Sequence, residues 1–104
     1  MAAEDSKRSL HRLLVTRVVD GPGASPPEQR ARAFANAELP EPLRVLLGKV
    51  VSHSSQVTDA DFASAKAAGY SDDQLFELVI CAAVGEATRE YEAGLAALAA
   101  AGAD

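Results

Sequence analysis

The sequence predicts an all-α protein, a compact bundle of about five helices with a long, central C-terminal helix. Apolar residues recur three and four positions apart in several segments, which is the spacing of one helix face. Helix start and stop signals separate those segments. The 104 residues are enough for one hydrophobic core, so a single domain over 1–104 is expected.

The first helix is predicted over residues 1–20. It starts at Asp5 or Ser6 and ends at Asp20–Gly23, because Gly accepts the left-handed cap and Pro cannot continue a helix. Its apolar residues recur at helical spacing: Leu10, Leu13, Leu14 and Val18. Residues 21–27 are predicted to form a loop.

A short second helix is predicted from a capping box at Ser25–Glu28, with Pro at the first helical position, as far as about Ala37. Leu39–Pro42 should then bend the chain, because two prolines lie within four residues. This places the second helix between two turns.

The third helix should carry one apolar face and end near His53. That face consists of Leu43, Leu46, Leu47, Val50 and Val51. A fourth helix should begin at the cap residue Thr58 and close at Gly69. Another capping box, at Ser71–Gln74, should start the last helix.

The last helix is predicted to supply most of the core through one apolar stripe. The stripe is made of Phe76, Val79, Ile80, Ala83, Val84, Ala87, Tyr91, Leu95 and Leu98. Between Leu75 and Val84, however, apolar residues surround almost the whole helix. The alanine-rich end from Ala96 is expected to fray or to serve a subunit contact.

The charge distribution argues against nucleic acid as a partner. Residues 1–35 carry about +2 and residues 36–104 about −7, which gives the formal net charge of −5. The basic cluster in the first helix is small and has no aromatic stacking platform. It consists of Lys7, Arg8, Arg12 and Arg17 with His11. It favours a solvated helix face, with docking of an acidic partner as the alternative.

The start of the chain lacks the sustained apolar run of a secretory signal, and no segment has the length of a membrane span. A single Cys excludes an intramolecular disulfide. We therefore expect a cytoplasmic protein with no membrane association. We also expect no cofactor, because phosphate loops, dinucleotide fingerprints and metal-ligand spacings are absent from the sequence.

The segment from Val57 to Val79, a helix followed by Gly69, a Ser-Asp-Asp cap and a long helix, resembles the carboxymuconolactone decarboxylase and alkylhydroperoxidase-D-like superfamily. The resemblance covers residues 40–100, the family-like helical core, and implies an alkylhydroperoxidase-D-like fold. The chain is most similar to short family members without a Cys-x-x-Cys motif.

The departures from this family bear on catalysis. Counted back from Gly69, the positions of its two cysteines and its histidine hold Ser54, Val57 and Asp61. A peroxidase of this kind needs one thiolate to attack the peroxide and a second thiol to resolve the sulfenic acid. The acidic relay residue of the family would fall near Glu41 or Pro42. The resemblance leaves His53 and Asp61 as candidates for a decarboxylase-type pocket.

Four residues are candidate functional residues. His53 could bind a ligand, or its charge could stabilise the end of a helix. Cys81 lies in an apolar run, which favours a buried, inert thiol over a redox role. Glu77 lies one turn before Cys81 and could line a polar groove, face solvent or pair with a neighbouring helix. Asp61 is the fourth candidate.

Three functions remain open. The first is a noncatalytic assembly or binding subunit, either a homo-oligomer or a complex with a related protein, with a small-molecule ligand as a variant. The second is a residual decarboxylase- or peroxidase-related enzyme using His53 with Asp61 or Glu77. The third is a single-thiol redox protein acting through Cys81. The assembly hypothesis predicts exposed apolar residues on the last helix or between Leu10 and Val19.

Overall fold

The computed structural model of the protein describes residues 2–102, with side chains from residue 6 onward. The described chain contains five α-helices and no strand: α1 (Ala2–Asp20), α2 (Pro27–Phe34), α3 (Leu43–Ser52), α4 (Asp59–Ala67) and α5 (Asp72–Gly102). A single 3-10 turn, Ser54–Gln56, precedes α4. The predicted all-helical bundle with a long final helix is confirmed. The extents of 53 × 28 × 19 Å reflect the 31 residues of α5.

The first helix begins at Ala2, so the predicted start at Asp5 or Ser6 is wrong, and it ends at Asp20 as predicted. The amide of Gly21 still donates to the Arg17 carbonyl, which completes the last turn. In the described part of α1, Val15, Val18 and Val19 are buried or half-buried, whereas three leucines are exposed.

The predicted capping box of α2 is wrong, because its cap residue is Pro26 and no side chain caps the helix. The Ser25 hydroxyl donates instead to the Gln74 carbonyl at 3.3 Å, a contact between distant parts of the chain. The helix ends at Phe34, before the predicted Ala37. Asn36 adopts a positive φ of 53°, a conformation that Asn tolerates better than most residues.

The bounds predicted for α3 and α4 are confirmed within one or two residues. α3 ends at Ser52 with His53 as its C-cap residue. At the start of α4 the Asp61 carboxylate accepts the Thr58 amide at 2.9 Å. Gly69 has a φ of 108°, the left-handed conformation expected of a glycine after a helix.

The start of α5 forms the predicted capping box. The Ser71 amide donates to Gln74 Oε1 at 2.9 Å, and the Gln74 amide donates to Ser71 Oγ at 3.1 Å. The predicted core stripe of α5 has the wrong phase, since Phe76 is 67% exposed and Leu98 71% exposed. The buried face consists of Leu75, Leu78, Cys81, Ala82, Gly85 and Thr88. Apolar residues surround α5 here, so periodicity alone could not choose the face.

The core lies where α3 and α5 meet. Leu43, Leu46, Leu75 and Leu78 are fully buried, and each such side chain contributes about 1.5 to 3 kcal/mol through burial. On another side of α5, α2 approaches so closely that a Cβ at Gly85 would lie 1.9 Å from the Phe34 carbonyl oxygen. Arg89 donates to that same oxygen at 2.8 Å. These contacts hold α2 across the middle of α5.

Candidate functional site

His53 lies at the exposed end of α3, as its C-cap residue. Its amide donates to the Lys49 carbonyl at 2.7 Å, and its carbonyl accepts the Gln56 amide at 2.9 Å. Among the described residues, no hydrogen bond joins its ring to another side chain, and the main surface hollows are lined by other residues. The structure therefore gives His53 the helix-terminal position that the sequence predicts.

Asp61 connects α3 to α4. Both oxygens of its carboxylate lie 2.9 Å from the Lys49 ammonium, and one also accepts the Thr58 amide. The pKa of Asp61 is lowered, first by the hydrogen bond from Lys49 and then by the Thr58 amide. An ionised carboxylate with these partners stabilises the helix junction.

Glu77 binds the loop that joins α1 to α2. Its two carboxylate oxygens accept the amides of Ala24 at 2.6 Å and Ser25 at 2.8 Å. A Cβ at Gly23 would lie 2.8 Å from this carboxylate, so a larger residue there would displace the end of the Glu77 side chain. The Ala24 amide is the main cause that lowers the pKa of Glu77, and burial opposes it. Glu77 is half-buried, and the partners of its carboxylate belong to a loop and not to a neighbouring helix.

Arg30 is a structural residue that the sequence did not reveal. It is only 3% exposed, yet its guanidinium donates to two backbone carbonyls, Ser25 at 3.2 Å and Val18 at 3.2 Å. Its charge also lowers the pKa of nearby Glu77. An Arg near a loop has no distinctive sequence pattern, because its burial depends on carbonyls that distant segments supply.

Cys81 is fully buried, and its sulfur lies 3.6 Å from the Val18 carbonyl oxygen. Burial raises the pKa of the Cys81 thiol, the Arg30 charge opposes this change, and Glu77 reinforces it. The polar groove considered along Glu77 and Cys81 is closed at its far end, since Gly85 and Thr88 are buried as well.

The structure brings some candidate residues together and separates others. Glu77 and Cys81 lie near Arg30 at the junction of α1, α2 and α5. Asp61 pairs with Lys49 at the junction of α3 and α4. His53 has no hydrogen bond to Asp61 or Glu77 among the described contacts. The four residues therefore do not form one catalytic group in this arrangement.

His11 connects α1 to α5. Its Nε2 lies 2.8 Å from Thr88 Oγ1, and its ring stacks on Tyr91 with centroids 5.1 Å apart. The Thr88 hydroxyl donates its only proton to the Val84 carbonyl at 2.7 Å, so His11 Nε2 must carry the proton of the His11–Thr88 bond. A cleft of about 100 Å³ lies beside this contact, lined by Arg8, His11, Arg12, Tyr91, Glu92 and Leu95.

Several large apolar side chains are exposed on α1 and α5. On α1, Leu10 and Leu13 are each 66% exposed and Leu14 is half exposed, and we call these three residues the leucine patch. On α5, Phe76 and Leu98 are exposed, and an apolar hollow of about 590 Å³ lies along Tyr91, Leu95 and Leu98. Single exposed leucines are common, whereas these three lie within five positions of one helix.

Among residues 6–102, whose side chains the structure describes, no group of three or more His, Cys, Asp or Glu residues could hold a metal ion. Glu86 pairs with Arg89 at 3.1 Å. None of the helices in this range combines the length and the apolar character that crossing a membrane requires.

Comparison with protein-family models, with curated proteins and with solved structures gave no match.

Proposed function

We propose that this protein is a noncatalytic assembly or binding subunit that acts in a homo-oligomer or in a complex with a related protein. The observation that carries this proposal is the leucine patch. Three large apolar side chains on one helix remain open to water, and covering them would stabilise a complex by about 25 cal/mol for each Å² removed from water.

The structural contacts of the candidate residues support the same proposal. Glu77 anchors a loop, Asp61 joins two helices, and Cys81 is enclosed by the core. Catalysis needs groups that meet at a concave site and retain free proton positions or lone pairs. In the described structure these groups are occupied by contacts that hold the fold together.

The resemblance to the carboxymuconolactone decarboxylase and alkylhydroperoxidase-D-like superfamily is part of what we propose and supports a noncatalytic role. Ser54, Val57 and Asp61 occupy the positions of the two cysteines and the histidine of that family. Ser and Val supply no thiolate, and the Asp61 carboxylate binds Lys49. A chain of this lineage would keep helical packing and association while lacking the peroxidase chemistry, and we propose that it acts in the cytoplasm.

The test is the native mass of the protein purified gently from its own cells, with every copurifying protein identified by mass spectrometry. We expect a homo-oligomer or a stoichiometric complex. Replacement of Leu13 by Glu should dissociate it while the helix content stays unchanged. A monomer without any partner, at the concentration found in the cell, would refute the proposal.

A further inference from the structure

Two residues of the leucine patch, Leu10 and Leu14, belong to a longer stripe with cations at both ends. Lys7, Leu10, Leu14 and Arg17 follow one another at intervals of three, four and three residues, so they share one face of α1. All four are exposed. We call this face the α1 stripe.

The outward side of α5 carries a second stripe, which is mostly apolar and ends in a carboxylate. Phe76, Ile80, Ala83, Ala87 and Glu90 alternate at intervals of four and three residues, the spacing of a coiled-coil seam. Ile80 is half-buried and the other four are exposed. Glu90 has no ionic partner among residues 6–102. We call this face the α5 stripe.

The two stripes lie on neighbouring, antiparallel helices. His11 contacts Thr88 and Tyr91, and Val18 lies level with Cys81. Continuing this alignment along α1 places Leu14 level with residues near 86 and Lys7 level with residues near 93, since both helices rise about 1.5 Å per residue. Each leucine of the α1 stripe therefore lies level with the small side chains and Glu90 of the α5 stripe.

We propose that a second copy of this chain covers the two stripes, with the α1 stripe of each copy packed on the α5 stripe of the other. The result is a four-helix contact with a two-fold axis parallel to the helices. This inference rests on the proposed function and specifies its partner as an identical chain.

Charge complementarity between the two stripes favours packing of α1 on α5 over packing of either helix on its own copy. If α1 packed on α1 of the second copy, Lys7 and Arg17 would face the same cations, which is unfavourable. If α5 packed on α5 about an axis parallel to the helices, Glu90 would face the same carboxylate of the second copy. A two-fold axis parallel to the helices keeps every residue at its own level, so Lys7 comes within about one turn of Glu90 on the other copy. The leucines then meet Ala83 and Ala87, and large side chains pack on small ones.

The area of the two stripes is that of a small interface. The fifteen residues from Phe76 to Glu90 and the adjacent part of α1 present a face about 22 Å long and about 20 Å wide, because neighbouring axes lie about 10 Å apart. This outline of roughly 450 Å² understates the accessible surface, which also includes side-chain relief, and a standard interface buries about 800 Å² on each partner. The contact is therefore smaller than a standard interface, and we expect a dimer that dissociates on dilution.

The first experiment measures self-association of the purified full-length protein by sedimentation velocity over a range of concentrations. We expect a dimer, and we expect Leu10→Glu to raise its dissociation constant at least about tenfold, because a carboxylate replaces an apolar contact beside Glu90. The matched control is Val45→Glu on α3, which also replaces an exposed apolar residue and should leave the dimer intact. If Leu10→Glu loses helix content, Leu10→Ser gives the same comparison without a new charge.

The second experiment determines which faces meet. A mixture of unlabelled and ¹⁵N-labelled protein is treated with a carbodiimide, which joins Lys to Asp or Glu without a spacer, and the cross-linked peptides are analysed by mass spectrometry. We expect a cross-link from Lys7 to Glu90 that combines one labelled and one unlabelled peptide. A dimer that forms only other cross-links between copies, or that loses stability with Val45→Glu instead of Leu10→Glu, would overturn the assignment.

The outcome also separates this inference from the proposed function. A purified monomer that joins a different protein in cells through Leu13 would refute the second copy and leave the assembly function standing. A monomer without any partner would refute both.

Discussion

Replacing Gly85 by Ala tests the close approach of α2 to α5, which holds α2 across the middle of α5. A Cβ at this position would lie 1.9 Å from the Phe34 carbonyl oxygen and 2.7 Å from its carbonyl carbon. Since an ordinary contact begins near 3.4 Å, the end of α2 would have to retreat by about 1.5 Å. Backbone atoms cannot rotate away as a flexible side chain could.

The expected loss of stability follows from three terms. Overpacking of this kind costs about 1 to 3 kcal/mol. The same movement breaks the hydrogen bond from Arg89 to the Phe34 carbonyl, and a bond to a charged group contributes about 1.5 to 3 kcal/mol. The higher helix propensity of Ala offsets about 1 kcal/mol of this loss in the free energy of unfolding. The free energy of unfolding should therefore fall by about 3 kcal/mol.

Urea unfolding followed by circular dichroism at 222 nm measures this change. A loss of about 3 kcal/mol should lower the melting temperature by roughly 12 to 24 °C for a domain of this size. The matched control is Gly48→Ala, because a Cβ at Gly48 in α3 would meet no atom within 4 Å. It should stabilise the protein by about 0.5 to 1 kcal/mol. If Gly85→Ala proves as stable as the wild-type protein, the close packing of α2 on α5 is refuted.

Three further predictions concern the polar candidates. Glu77→Gln should destabilise the protein at neutral pH, because the folded state lowers the pKa of Glu77. The difference in the free energy of unfolding between this variant and the wild-type protein should shrink below about pH 4. A difference that stays constant in acid would contradict this prediction. Asp61→Asn should also destabilise the protein at neutral pH, since the hydrogen bond from Lys49 lowers the pKa of Asp61. The loss in free energy of unfolding should be smaller at pH 3 than at pH 7, and unfolding curves at both pH values measure it. Cys81 should react with a maleimide only after denaturation, and rapid labelling of the native protein, detected by intact mass, would show that the thiol is accessible.

Local signals in the sequence predicted most helix ends because they act within a few residues. The capping box at Ser71 and Gln74 and the left-handed Gly69 are confirmed, since each depends on nearby backbone groups. The capping box at Ser25 is wrong for the opposite reason. The Ser25 hydroxyl has a distant partner, the Gln74 carbonyl, and no local pattern reveals it.

The candidate residues divide in the same way. The position of His53 at a helix end and the burial of Cys81 could be predicted from their immediate neighbours. The roles of Glu77 and Arg30 could not, because their partners are loop amides and carbonyls that only the folded chain brings near. The exposure of the leucine patch was predicted as a consequence of the assembly hypothesis, and the structure confirms that exposure.

The sequence by itself determined that the protein is helical, where most of its helices begin and end, and that its last helix is long. Only the tertiary structure decided which side of α5 is buried. Apolar residues surround the first half of that helix, so several faces could enter the core with similar gains from burial. Gly85 and Thr88 face inward because α1 and α2 pack there, and that packing leaves Phe76, Ala83 and Ala87 at the surface.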